Sequence, residues 1–126
     1  MVGSTGTRVL AATLPHVDVW NTWYDWYGNT AEGFGEKIRE IDEACGRAGR
    51  DPTTLDRSAC VLVRLGDSDE RRAEAGVTPL GGSLDAIGAG LRAIAAAGAD
   101  ELIVVLDPIT EGSIRTLEPV VEDLHG

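Results

Sequence analysis

The sequence predicts an α/β fold built on a parallel sheet, and three observations support that prediction. Apolar runs of strand length alternate with amphipathic helical segments along the 126 residues. The longest run, residues 58–65, is mostly apolar, as is typical of a parallel strand covered on both faces. The order turn, α, β, α, β, α, β, α predicts right-handed βαβ units, whose strands are parallel. We therefore expect a single α/β domain over residues 1–126.

The chain opens on a glycine turn followed by a predicted helix over residues 5–14. The turn reads Gly3-Ser4-Thr5-Gly6. Such a turn presents backbone N–H groups and the positive end of the helix dipole, which suits a phosphate. Residues 1 and 2 read as the last step of a strand, so we expect the chain to be the C-terminal part of a larger α/β protein. A turn that only joins strand to helix is the alternative.

Five of the six aromatic residues fall in eight positions, 20–27, which begin at the last residue of the first predicted strand, residues 17–20. Residues 21–28 predict a loop. Because this loop follows a strand and flat rings suit a flat ligand, Trp20, Asn21 and Trp23 are candidate pocket residues. Asn21, just past the predicted strand end, is the best polar candidate. Packing of a long loop is the alternative.

The remaining elements follow from spacing and capping. Apolar side chains at intervals of 4, 3, 4 and 3 predict a helix from Thr30 to residue 48, with Gly49 just past its end. Residues 58–65 and 101–106 predict strands, and residues 66–82 a long connection with room for one helical turn at 70–75. Ser83 begins another helix. The final helix starts at residue 113, restarts or kinks at Pro119, and carries Ile114, Leu117, Val121 and Leu124.

The composition excludes several classes of function. The net charge of −10 argues against a nucleic-acid surface. No stretch approaches the roughly 20 apolar residues of a membrane span, and no leader sequence opens the chain. Cys45 and Cys60 have no second cysteine or histidine at ligand spacing. We therefore expect two buried thiols, no metal site, no membrane partner and a reducing cytoplasm.

Catalytic residues remain unassigned from the sequence. No Ser-His-Asp or Cys-His arrangement and no carboxylate pair has the spacing that catalysis requires. Arg64 and Asp67 follow the second predicted strand, and Asp107 follows the third. Arg64 is a candidate for binding a substrate anion, and a salt bridge within the loop is the alternative. His16 is predicted to be structural.

Four segments, in this order, carry a resemblance to the luciferase-like monooxygenases, a TIM-barrel superfamily that uses FMN or the deazaflavin coenzyme F-420. Residues 2–10 (VGSTGTRVL) look like the Gly-Gly-x-Gly turn and following helix of that family. Residues 11–21, which end in HVDVWN, are similar to its Trp-Asn strand, and residues 34–52, which end in CGRAGRDP, are similar to its GRDP helix end. Residues 82–102 resemble the unit before the last barrel strand.

The resemblance implies a partial TIM (β/α)8 barrel, with about the last three strands and their helices. It implies an oxidoreductase of monooxygenase type that binds coenzyme F-420 or FMN and a small-molecule substrate. Gly3, Ser4, Thr5 and Gly6 would hold the cofactor phosphate, since late βα loops carry the phosphate site in these barrels. A partial barrel exposes strand edges, so we expect a homo-oligomer or a partner chain to cover them.

Two hypotheses about function follow. The first is a flavin- or deazaflavin-dependent oxidoreductase of luciferase-like type. The second is a non-catalytic half-barrel remnant, a phosphate- or flavin-binding module that self-associates.

Overall fold

The computed structural model describes Gly3, residues 6–71 and residues 73–125. The described elements, in chain order, are α1 (Thr7–Thr13), β1 (Val19–Thr22), α2 (Tyr24–Tyr27), α3 (Ala31–Arg47), a 3₁₀ turn (Pro52–Thr54), β2 (Asp56–Arg64), α4 (Leu84–Ala96), β3 (Glu101–Asp107) and α5 (Glu111–His125).

The three described strands form one parallel sheet in the order β1-β2-β3. Val19 pairs with Asp56 at the start of β1, and Ser58 pairs with Glu101 at the start of β3. β2 is the longest strand and extends past the end of β1, because Thr22 pairs with Ala59 while β2 continues to Arg64. The parallel α/β fold predicted from the sequence is confirmed.

The core lies between the sheet and the helices. In β1 the two buried residues are Trp20 and Thr22, which alternate with half-buried ones. The Trp20 ring stacks on Phe34 of α3 at 6.4 Å between centroids. β2 contributes to this core along most of its length, as does the apolar face of α4, where Ile87, Leu91 and Ile94 are fully buried. Side-chain burial on this face follows from the spacing seen in the sequence.

Packing at the start of α3 requires a glycine at position 33, although glycine is unfavourable inside a helix. Thr30 caps the helix by accepting a hydrogen bond from the Gly33 N–H at 3.0 Å. A Cβ atom placed on Gly33 would lie 1.8 Å from the carbonyl oxygen of Tyr27. Only glycine therefore lets α2 and α3 approach this closely. The end of the helix is as predicted, with Gly49 at a φ of +74°.

Several predicted elements differ from the structure. β1 covers Val19–Thr22 instead of residues 17–20, because pairing with β2 starts where the Asp56 N–H meets the carbonyl of Asp18. The predicted loop 21–28 contains the end of β1 and the short helix α2. Residues 70–71 and 73–75, the described part of the predicted turn, contain no helix.

α5 also departs from its prediction. It begins at Glu111 and runs unbroken through Pro119, since residues on both sides of the proline pack on the core. Its buried side chains are Ser113, Leu117 and Val120. Ile114 and Val121, predicted with the apolar stripe, are 56% and 38% exposed. The apolar surface of α5 is therefore wider than the part the core uses.

Candidate functional site

Two neighbouring strands end on an ion pair between Arg64 and Asp107, which are paired in register. The Arg64 Nε donates to Asp107 Oδ2 at 3.0 Å, and a second guanidinium nitrogen donates to the carbonyl of Arg71 at 2.9 Å. Ser68 Oγ donates to Asp107 Oδ1 at 2.5 Å. The loop after β2 is thus fastened to the end of β3, where polar groups of a parallel sheet converge.

The charge of Asp107 is well supported although the residue is fully buried. Desolvation by burial alone would raise the pKa of its carboxyl. Hydrogen bonds from Ser68, Arg64 and the Arg71 backbone, together with the positive charge of Arg64, outweigh burial and lower that pKa below its ordinary value. Asp107 is therefore an anion at neutral pH. It neutralises Arg64, the residue that the sequence predicts as a candidate for binding a substrate anion.

A second polar group crosses the sheet on the face opposite the helices, which we call the inner face. Residues paired in register share a face, so Asn21, Ser58 and Glu101 lie side by side. Asn21 Nδ2 donates to Ser58 Oγ at 3.0 Å, and Ser58 Oγ donates to Glu101 Oε1 at 2.8 Å. The Cys60 thiol donates to Asn21 Oδ1 at 3.6 Å. This chain of hydrogen bonds joins all three strands.

The edge of β2 beyond β1 is closed by side chains of the segment after β1. Tyr27 donates its hydroxyl proton to the carbonyl of Cys60 at 2.7 Å. Burial first, and Cys60 second, raise the pKa of Tyr27, so this hydroxyl stays protonated. Asn29 accepts from the N–H of Leu62 at 2.9 Å and donates to its carbonyl at 3.0 Å, as a neighbouring strand would.

The sequence alone did not identify Asn29 as a residue of this edge. It also donates to the carbonyl of Thr78 at 3.0 Å, which ties the loop after β2 to this edge, and it is 1% exposed. The available signal is the pair Gly28-Asn29, whose φ values are +78° and +58°. Asparagine is among the few residues that tolerate this conformation, so the pair marks a special turn.

The structure separates the predicted pocket residues. Trp20 is 1% exposed and packs on Phe34 in the core, which matches the packing alternative. Asn21 lies within β1 and not past its end, and it is on the inner face. Trp23 is half-buried and contacts Tyr24 at 4.3 Å between ring centroids.

Arg64 borders an open cleft of about 280 Å³ with Asp69, Val77 and Pro79. Arg64 forms a salt bridge, as the alternative has it, but its partner is Asp107 at the end of β3 and not a residue of the loop.

Half of the predicted phosphate turn can be located. Ser4 and Thr5 lie outside the described residues. Gly3 and Gly6 are exposed, and Gly6 is the N-cap residue of α1. A Cβ atom on Gly3 would lie 3.7 Å from the carbonyl oxygen of Asn21. Gly3 therefore lies beside β1, next to Asn21.

The two cysteines are buried and free, as predicted. In the described part of the chain no group of three or more His, Cys, Asp or Glu residues has an arrangement for a metal ion. Within those same residues we find no helix with the length and apolarity to cross a bilayer.

Solved structures share this fold. An F420-dependent secondary alcohol dehydrogenase, solved with an F420-acetone adduct, superposes with a TM-score of 0.69 over 95% of this chain, at 9% identity. The coenzyme F420-dependent tetrahydromethanopterin reductase from Methanopyrus kandleri superposes with a TM-score of 0.64 over 94% of this chain, at 12% identity. The chain spans 47% of each of these structures.

At the level of the fold, the predicted resemblance and the partial barrel are therefore confirmed. No protein-family model matches the sequence, and no curated protein matches it either.

Proposed function

We propose that this chain forms part of a luciferase-like oxidoreductase barrel that binds coenzyme F420, with FMN as the alternative cofactor. The observation that carries the proposal is the shared fold with two F420-dependent enzymes over at least 94% of the chain. The face that would line the barrel interior bears the hydrogen-bonded side chains of Asn21, Ser58 and Glu101. The same face carries the apolar side chains of Ile103 and Val105, and a mixture of apolar and hydrogen-bonding groups suits a ligand pocket.

The residues present fit a phosphate-bearing cofactor at the start of the chain. Gly3 and Gly6 are exposed and bring no side chain between the backbone and a ligand. We propose that the turn Gly3-Ser4-Thr5-Gly6 holds the phosphate through backbone N–H groups. Because Gly3 lies beside Asn21, the remainder of the cofactor would reach the inner face. When bound, the cofactor supplies the hydride chemistry.

We propose a role for each of the other predicted site residues from its position in the structure. Asn21 is proposed to orient the ligand, since Ser58 holds its carboxamide in one orientation. We propose that Trp23 and Arg64 line the part of the site that holds the substrate. Arg64 would contribute there as an ion pair with Asp107, which has no net charge. Trp20 supports the site from the core and has no proposed contact with a ligand.

A binding and turnover experiment tests the proposal. The chain is titrated with F420 and, separately, with FMN, and the change in cofactor fluorescence gives each affinity. Saturable binding of F420 or FMN is expected, and binding of neither would overturn the proposal. Gly46→Val is a control that should bind as the unmodified chain does, because Gly46 is exposed on α3 with open space around it.

Turnover tests whether this chain alone holds a complete active site. With a cofactor and a reductant, we expect no turnover above free cofactor, because the chain spans half of each similar enzyme. Rates of about 1 per second or more would instead show a complete active site within this chain. Cofactor binding without turnover is the result expected both for part of an enzyme and for the non-catalytic module of the second hypothesis. The cytoplasmic location, the monooxygenase reaction and the homo-oligomer or partner chain stay predictions.

A further inference from the structure

The hydrogen-bond chain on the inner face has a fixed direction. Glu101 is exposed, and a carboxylate accepts hydrogen bonds but has no proton to donate. Ser58 has one hydroxyl proton, which it donates to Glu101 Oε1 at 2.8 Å. The Ser58 oxygen is therefore left as an acceptor, and it receives a hydrogen bond from Asn21 Nδ2 at 3.0 Å. The carboxylate at one end of the chain thus decides which end of the Asn21 carboxamide faces Ser58.

The carboxamide of Asn21 has its donors engaged and an acceptor position left over. Besides Ser58 Oγ, the Nδ2 group lies 3.4 Å from the carbonyl oxygen of Ser58 and 3.5 Å from the sulfur of Cys60. The Oδ1 atom can accept two hydrogen bonds, and within the described part of the chain it accepts one, from the Cys60 thiol at 3.6 Å. One acceptor position of Oδ1 therefore remains for a further donor.

The Oδ1 atom of Asn21 lies on the side of the glycine turn. A Cβ atom on Gly3 would lie 3.9 Å from Asn21 Oδ1 and 3.7 Å from the carbonyl oxygen of Asn21. Gly3 is exposed, and Asn21 is half-buried, so this side of the carboxamide borders solvent. A ligand held by the proposed phosphate turn would therefore meet a hydrogen-bond acceptor here.

We propose that Glu101 is a positioning residue for this site. Through Ser58, its carboxylate holds Asn21 so that the carboxamide oxygen, and not the NH2 group, is presented to the ligand. Asn21 then binds an N–H or O–H group of the cofactor and discriminates against a carbonyl oxygen at the same position. This contact rests on the proposed function, whereas the direction of the hydrogen-bond chain is a property of the protein without its ligand.

A charge reversal at residue 101 tests the proposal. In Glu101→Lys the new ammonium group can only donate to Ser58, so Ser58 must donate to Asn21, and the carboxamide is expected to turn over. Fluorescence titration with F420 or FMN should show binding weakened about tenfold, the worth of one hydrogen bond. A simple charge effect has the opposite sign, because an added cation attracts a phosphate-bearing cofactor.

A second substitution is expected to restore the affinity. In Glu101→Lys/Asn21→Asp both oxygens of the new carboxylate are acceptors, so turning it over changes nothing. Binding should return to that of the unmodified chain, although the second change adds a negative charge. Glu118→Lys, the same change of charge at an exposed residue of α5, is the matched control and should not weaken binding.

Glu101→Gln covers the case in which the lysine variant does not fold, which circular dichroism melting would show. Its carboxamide can donate to Ser58 or accept from it, so both directions of the chain become possible. We expect a loss of affinity smaller than that of Glu101→Lys. Affinity equal to that of the unmodified chain would contradict the positioning role.

The free chain tests the direction independently of any cofactor. In the isotope-labelled unmodified chain, the side-chain amide protons of Asn21 should show nuclear Overhauser effects to Ser58, and in Glu101→Lys to Gly3 instead. Unchanged effects in Glu101→Lys, cofactor binding as tight as in the unmodified chain, or a double variant without recovery would each overturn the proposal. An unmodified chain that binds neither F420 nor FMN would overturn the proposed function and the ligand contact, and the Overhauser effects would then decide the direction alone.

Discussion

The two faces of the sheet differ in what their side chains do. On the helix side, Trp20 of β1 stacks on Phe34 and lies in a continuous apolar core with α3 and α4. On the inner face, the adjacent residue Asn21 donates a hydrogen bond to Ser58, which bonds in turn to Glu101. Neighbouring residues of one strand thus serve different purposes, because strand side chains alternate between faces.

This difference indicates which side chains contribute most to stability. Burial of apolar area on the helix side supplies most of the folding free energy. The hydrogen bonds of Asn21, Ser58 and Glu101 on the inner face contribute little by comparison, since each replaces one with water. Matched substitutions on the two faces should therefore have very different effects on stability.

The largest expected effect comes from truncating neighbouring residues of β1. Trp20→Ala should lower the free energy of unfolding by about 3–5 kcal/mol, because it leaves a cavity against Phe34. Asn21→Ala should cost about 1 kcal/mol, the worth of a hydrogen bond. Urea unfolding of the two variants measures both values. Equal losses would contradict the division between the faces.

Asp107→Asn tests the buried charge at the end of β3. We expect a loss of about 1.5–3 kcal/mol at neutral pH, since Arg64 and Ser68 lose a charged acceptor. Because folding lowers the pKa of Asp107, its contribution is present above the pKa of a free aspartate, about 3.9, and disappears as pH falls through the lowered value. The variant should therefore show a flatter loss of stability in acid.

The control for Asp107→Asn is Asp67→Asn, an exposed carboxylate in the loop after β2. It should change stability by no more than about 0.5 kcal/mol. Urea unfolding of both variants at several acid pH values measures how steeply the free energy of unfolding falls as the pH falls. An unchanged slope in Asp107→Asn would mean that the carboxylate is not held as the structure indicates.

Two glycines of α3 sharpen the comparison within the helix layer. Gly33→Ala should destabilise by about 1–3 kcal/mol, because the new methyl group meets the Tyr27 carbonyl. Gly35→Ala, two residues on with open space around it, should stabilise by up to about 1 kcal/mol through helix propensity. Thermal melting shows whether each variant is more or less stable than the unmodified chain. Stabilisation in both variants would show that α2 moves aside without cost.

The smallest expected effect concerns the proposed phosphate turn, Gly3-Ser4-Thr5-Gly6. Ser4→Ala should weaken FMN binding by about 0.5–1.5 kcal/mol, the worth of one hydrogen bond. Gly6→Val should weaken it more, because the side chain obstructs close approach to the backbone. Riboflavin, which lacks the phosphate, should respond to neither. Fluorescence titrations measure these affinities, and equal binding of FMN and riboflavin by the unmodified chain would make the turn a simple connector.

The sequence determined the features that depend on local spacing. The parallel sheet, the order of helices and strands, the caps at Thr30 and Ser83, and the buried Cys45 and Cys60 all follow from periodicity and from the preferences of single residues. These preferences act within a few residues, so they survive in any tertiary context. For Trp20, predicted as a pocket residue, the structure matches the packing alternative instead.

Tertiary structure decided what depends on distant partners. Asn29 meets Leu62 across 33 residues, and Arg64 meets Asp107 across 43, and neither contact has a local signal of its own. The helical stripe of α5 could not show that Ser113 and Val120 are buried while Ile114 is exposed, because both sets share the same spacing. Which set is buried depends on the position of the helix relative to β3, and that position is set by the packing of the whole sheet.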